Sequence, residues 1–134
     1  MDTSEQYIKM CDCLEIQGKW KPEEGDFYVP LGKDYINGHG SIDVVSGVRA
    51  IREEKRIEYL TGGIYERLAW LPRQDQVQEI WSPTVEPWFG VILAFISWFE
   101  TINPDKYQSV EQLWLAFYMY EKHKKTWTGE RWVA

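Results

Sequence analysis

The stretch SVEQLWLAFYMYEKHKKTWTGERW, residues 109–132, decides how this chain is read. It opens with Ser109 and has Gln112 three residues on, the pairing of a capping box, in which each side chain serves the other's backbone N–H. Val110, Leu113, Trp114, Ala116, Phe117, Tyr118 and Tyr120 then place apolar groups on most sides of a helix. The run closes in Lys122, His123, Lys124 and Lys125, whose charge suits the negative end of a helix dipole. Gly129 marks a chain reversal, and Trp132 and Val133 form a short apolar tail able to fold back. The spacing predicts a long C-terminal core helix closed by an aromatic clasp.

Working outward, the segment before it supplies a partner. Trp88, Phe89, Val91, Ile92, Leu93, Phe95, Ile96, Trp98 and Phe99 are apolar almost all round, as a central helix of a small core would be. Pro87 suits its opening and Asn103-Pro104-Asp105 its end, and the short connection favours antiparallel packing of the two helices. Their mutual packing is expected to consume most of the aromatic rings. Further upstream, residues 73–81 carry Val77, Ile80 and Trp81 on one side and read as a one-sided surface helix, with Pro72 at its first position.

The first half has a different texture. Thr3, with Gln6 three residues later, is a plausible helix start, and Tyr7, Ile8, Met10, Cys11 and Leu14 give an apolar stripe, so the first helix is expected to cover about 4–18. Residues 26–29 read as a short strand stopped by Pro30. Asn37-Gly38 is a hairpin signal expected to join 34–36 to 41–45. Strand periods through Ile57, Tyr59, Ile64, Glu66, Leu68 and Trp70 around Thr61-Gly62-Gly63 extend this to an antiparallel meander, with Arg52-Glu53-Glu54-Lys55 as a turn. The expected architecture is a single α+β domain over 1–134: a short antiparallel β-meander packed against an N-terminal helix and two C-terminal helices.

Composition sets the function classes. The apolar and charged fractions, 44% and 27%, are those of an ordinary folded protein. The aromatic fraction, 16% with 8 Trp and 8 Tyr, suits a firm small core or a partner-binding face. A net charge of −6 repels phosphate backbones and anionic membranes, so general nucleic-acid binding is disfavoured. Cys11 and Cys13 are too close in sequence for an ordinary disulfide, and with only His39 and His123 beside them they do not make zinc-ligand spacing. Free thiols and an opening without a charged-then-apolar leader lead us to expect the cytoplasm. The apolar run 88–99 falls far short of the ~20 residues that cross a bilayer.

Chemistry-bearing groups are sparse. His39 lies between glycines near Asp34 and Asp43, and His123 among lysines with Glu121 on another face; both read as surface histidines. There is no glycine-rich phosphate loop, nucleophile elbow or metal-binding histidine pair, so we expect neither an enzyme nor a cofactor. Two basic clusters qualify for single strands: Arg49, Arg52, Lys55 and Arg56, and Lys122, Lys124 and Lys125 with Trp127 as a stacking ring. The polar face Arg73, Gln74, Asp75, Gln76, Gln78 and Glu79 offers mixed donors and acceptors, and is the surface on which we expect a protein partner.

Three sets of residues also carry a resemblance. Tyr7-Ile8-Lys9-Met10-Cys11, Glu15-Ile16-Gln17, Trp20-Lys21-Pro22 and Gly25-Asp26-Phe27-Tyr28 resemble the opening of a group of small proteins of temperate phages and prophages of Gram-positive bacteria. Trp70-Leu71-Pro72-Arg73-Gln74-Asp75-Gln76-Val77-Gln78-Glu79 is similar to that group's central motif. Glu111-Gln112-Leu113-Trp114-Leu115-Ala116-Phe117, with Glu121-Lys122, Trp127, Gly129-Glu130 and Trp132-Val133, is similar to its ending, which Tyr118 and Tyr120 interrupt. The matching pieces cover under half of the chain, and residues 30–69 match no pattern of the group. The resemblance implies a phage or prophage origin and the bacterial cytoplasm, and brings no activity, cofactor or catalytic residue. The expectation is a non-enzymatic module that binds a host factor or copies of itself, with a single-strand nucleic-acid accessory protein and an enzyme without a recognisable motif as the alternatives.

Overall fold

The computed structural model describes residues 1–32, 35, 38–46, 67–81 and 88–134. Helices α1 (Glu5–Cys11) and α2 (Leu14–Gln17) come first, then strands β1 (Phe27–Leu31), β2 (Asp43–Val44) and β3 (Arg67–Leu71). Helices α3 (Gln74–Trp81), α4 (Trp88–Phe99) and α5 (Val110–His123) follow, and strands β4 (Thr126–Trp127) and β5 (Trp132–Val133) end the chain. The class is α+β. The residues group into two compact units, Cys11–Pro72 and the combination of Met1–Met10 with Arg73–Ala134.

In the second of these units α5 is the centre. Ser109 caps it, its Oγ accepting from the Gln112 N–H at 3.1 Å. The reciprocal half of the predicted capping box is not made. The Gln112 side chain is fully buried and turns elsewhere: its Oε1 accepts from Gln108 N–H and from Gln6 Nε2, and its Nε2 donates to Asp2 Oδ2 and Ser4 Oγ. One amide thus satisfies groups more than a hundred residues apart, which local spacing cannot disclose. At the other end Lys124 adopts the left-handed conformation (φ 55°), and the Lys125 N–H closes on the Met119 carbonyl.

Phe117 is the hub of the aromatic packing. Its ring meets Trp81 of α3 stacked at 5.4 Å, Phe95 of α4 edge-on at 5.4 Å, and Trp98 at 5.5 Å. Trp114 joins it at 5.9 Å and stacks on Phe95 at 4.3 Å. The expected clasp forms as a small hairpin: β4 pairs with β5 about Gly129, and Trp132 Nε1 donates to the Met10 carbonyl at 2.9 Å.

Three sequence expectations change here. The helix expected over 4–18 is two helices capped by Ser4 rather than Thr3, with the break at Asp12 and Cys13, where Cys13 is extended (φ −147°, ψ 155°). Strand β1 runs through Pro30 to Leu31, because the proline carbonyl accepts from Gly40 N–H and its missing donor is not needed there. The arm that pairs with β2 is β1 itself, Phe27 opposite Val44 and Tyr28 opposite Asp43, and not 34–36. Among the described strands the order is β2-β1-β3, with both pairings antiparallel, so β3 lies on the far side of β1 from β2. The strand periods and turn expected over 48–66, and the hairpin residue Asn37, lie outside the described residues.

The Cys11–Pro72 unit is tied by two polar side chains. Asp26, 3% exposed, accepts from Trp20 Nε1 and from the Glu23 N–H, each at 2.9 Å. Gln17 presents its amide to β3: Oε1 accepts from Trp70 N–H at 2.8 Å and Nε2 donates to the Trp70 carbonyl at 3.0 Å. The side chain stands in for a neighbouring strand along that edge. Trp20 stacks on Tyr28 and on Trp70, which face each other across β1 and β3, each centroid 6.4 Å away.

Candidate interaction surface

The polar face expected to hold a partner is organised around its own helix. Arg73 precedes α3 as its cap residue, and its N–H donates to Gln76 Oε1 at 2.9 Å, while its Nε pairs with Asp75 Oδ1 at 3.2 Å. Pro72 therefore sits outside the helix rather than at its first position. Val77 and Trp81 bury the opposite side of α3. All six positions stay partly or fully exposed, and within them Arg73, Asp75 and Gln76 contact one another at the start of the helix.

The lysine cluster is also divided. Lys122 Nζ lies 4.4 Å above the Trp81 ring, a cation–π contact, and Lys124 Nζ donates to the Glu121 carbonyl. Trp127 is 1% exposed and pairs with Trp132 at 5.1 Å. An enclosed ring offers no face for a base, so Lys122, Lys124, Lys125 and Trp127 do not combine into a stacking platform. The other basic cluster, Arg49, Arg52, Lys55 and Arg56, lies outside the described residues.

Acid–base groups are held in local contacts. His39 Nδ1 bonds to the Gly40 carbonyl at 2.8 Å, and Asp43 accepts from Tyr28 and from the Val44 N–H. His123 Nε2 meets Tyr118 Oη at 3.2 Å rather than Glu121. Burial, with the neighbouring Glu15 and Asp12 charges, pushes the Cys13 thiol up to about 11, so it is protonated and a poor nucleophile at neutral pH. Among the described residues no three His, Cys, Asp or Glu side chains converge as a metal would require. An open cavity of about 310 Å³ lies between α4 and α5, lined by Trp98, Ile102, Lys106, Tyr107, Tyr120 and Lys125 among others, without a carboxylate, histidine or cysteine in its described lining.

The surface that the sequence reading missed is on α4. Val91 and Trp98 are buried and Phe95 stacks on Trp114, so positions 91, 95 and 98 form the inner face. The outer face is just as apolar. Phe89 is 68% exposed, Leu93 59%, Ile96 47%, Ile92 46% and Phe99 37%. Their spacing, i, i+3, i+4, i+7 and i+10, places all five on one side of a helix that turns about 100° per residue. From the fractions left open, these side chains present about 500 Å² of apolar surface, in the upper part of the range for the largest patch on a monomer. No acidic or basic residue lies within Trp88–Phe99. Periodicity could not find the patch, because a helix apolar on all sides gives no sign of which side its own chain covers. Compared with known proteins, the chain matches no family, no curated protein and no solved structure.

Proposed function

We propose that this chain is a non-enzymatic protein-binding module that works through the outer face of α4. The observation that carries the proposal is the row of five large apolar side chains left open on a helix whose other face is packed. A helix apolar on all sides is ordinarily covered on both faces, so the open one suits an apolar partner surface. The binding function matches the expectation from composition, while its location moves from residues 73–79 to α4. The phage or prophage origin and the bacterial cytoplasm, implied by the resemblance, belong to the same proposal. No described helix is long and apolar enough to cross a membrane.

The test uses the full chain immobilised beside a Leu93→Gln/Ile96→Gln double variant, each challenged with bacterial host lysate and with free chain. The expected result is that the wild type retains a protein or a further copy that the variant releases, at equal melting temperature. Identical retention by both would remove the proposal.

A further inference from the structure

We infer that the occupant of the α4 face is a second copy of this chain, packed α4 against α4 about a two-fold axis. The inference rests on reading α4 as a binding face and adds the identity of the binder. Three observations point to it. The first is charge. A two-fold contact sets each surface patch against its own copy, so any charge on it meets or nears its like. The chain carries −6 overall, yet the 12 residues of α4 carry no charge at all, which makes this face suited to meet itself.

The second is area. Two patches of about 500 Å² remove about 1,000 Å² from water, the lower bound for a specific interface, before any neighbouring residue is counted. The third is Gly90. A glycine inside a helix costs about 1 kcal/mol relative to alanine. Among the described residues, a Cβ built at Gly90 would meet nothing within 4 Å, so their packing gives no reason for the glycine. Gly90 lies beside Leu93 and Ser97 at the border of the open face, with Ala94 next to it; that shoulder of small residues gives an approaching helix room to come close. A lipid surface is the poorer occupant, because α4 has none of the lysines or arginines that flank the apolar face of interfacial helices.

Sedimentation equilibrium of the full chain from about 1 to 200 μM, beside Leu93→Glu and Gly90→Leu, tests this. The expected result is a wild-type dimer whose Kd rises at least ~100-fold for Leu93→Glu, since a two-fold contact counts each loss twice. Gly90→Leu adds apolar area but fills the shoulder, and is expected to weaken the dimer at least ~10-fold while raising the melting temperature of the dilute chain, as a better helix former in open space should. A wild-type monomer throughout the range overturns the inference, as does a dimer that Gly90→Leu tightens or Leu93→Glu leaves intact. Partition of a monomeric chain onto phosphatidylcholine vesicles also overturns it. If the chain is monomeric but still retains a lysate protein that the double variant releases, the self-pairing fails and the binding-module reading stands.

Discussion

Helices α4 and α5 are alike in composition and opposite in surroundings. Both are rich in aromatic and branched residues, yet Trp114, Leu115, Ala116, Phe117, Tyr118 and Met119 of α5 are all buried in succession, on every side of the helix. Helix α4 buries Val91 and Trp98 and leaves Phe89, Ile92, Leu93, Ile96 and Phe99 open. The difference lies in the neighbours: α5 is met by α3, by α4, by the β4–β5 hairpin and by the polar cluster at its cap, whereas among the described elements α4 is packed on one side. Hydrophobicity measures the need for cover, and only the arrangement of other elements shows where the cover is supplied.

The comparison breaks first at Phe117. Replacing it with alanine removes the ring shared by Trp81, Phe95, Trp98 and Trp114, and is expected to cost about 3–5 kcal/mol in chemical denaturation. A loss below ~1 kcal/mol would mean that α5 is not the centre of its unit. Next in size is Gln112→Ala, which leaves the Gln108 N–H and the Asp2 and Ser4 groups without their shared partner and is expected to cost about 2 kcal/mol. Gln112→Glu would separate shape from donor capacity, because a carboxylate cannot donate to Asp2.

Smaller effects sharpen the contrast at the surface. Lys124→Gly relieves a left-handed residue at the end of α5 and is expected to raise stability by about 0.5–1 kcal/mol, read as a shift in denaturation midpoint. Leu93→Gln on α4, measured in dilute solution, is expected to change stability by less than about 0.5 kcal/mol, because its side chain is mostly open already. If Leu93→Gln cost as much as Phe117→Ala, the outer face of α4 would be as well covered as the core around α5, and the binding proposal would lose its basis.

The last prediction concerns acid. Burial raises the Asp2 carboxyl, but hydrogen bonds from Ser109, from the Ser4 backbone and side chain, and from Gln112 outweigh it and leave the group below its ordinary value. A depressed carboxyl contributes stability that is present above its unfolded pKa and lost as pH falls through the folded one. Stability is therefore expected to decline on acidification below about pH 4, and Asp2→Asn to flatten that decline. An unchanged acid slope would show that Asp2 does not hold the cap of α5 as an anion.

Much of the backbone was legible. Ser109 announced the start of α5, Trp88–Phe99 was bounded by its prolines, and Gly129 marked the turn of the terminal hairpin, because caps, breakers and periodicity act within a few residues of themselves. Beyond the local break of the first helix at Asp12 and Cys13, the readings that failed depended on distance. Gln112 was assigned to Ser109 three residues away but serves Asp2, Ser4 and Gln6. Gln17 gave no local hint that its amide would lie along Trp70. Trp127, flanked by lysines in sequence, looked like an open ring and is enclosed.

By itself the sequence determined where the long C-terminal helix begins and stops, that the chain is α+β, and that it is rich in rings needing burial or a partner. Tertiary structure alone decided which of those rings are covered, which amides satisfy remote backbone, and that a full face of α4 is left to water. The reason is one of range: propensity and capping are properties of neighbours along the chain, whereas burial is a property of whatever folds back against it.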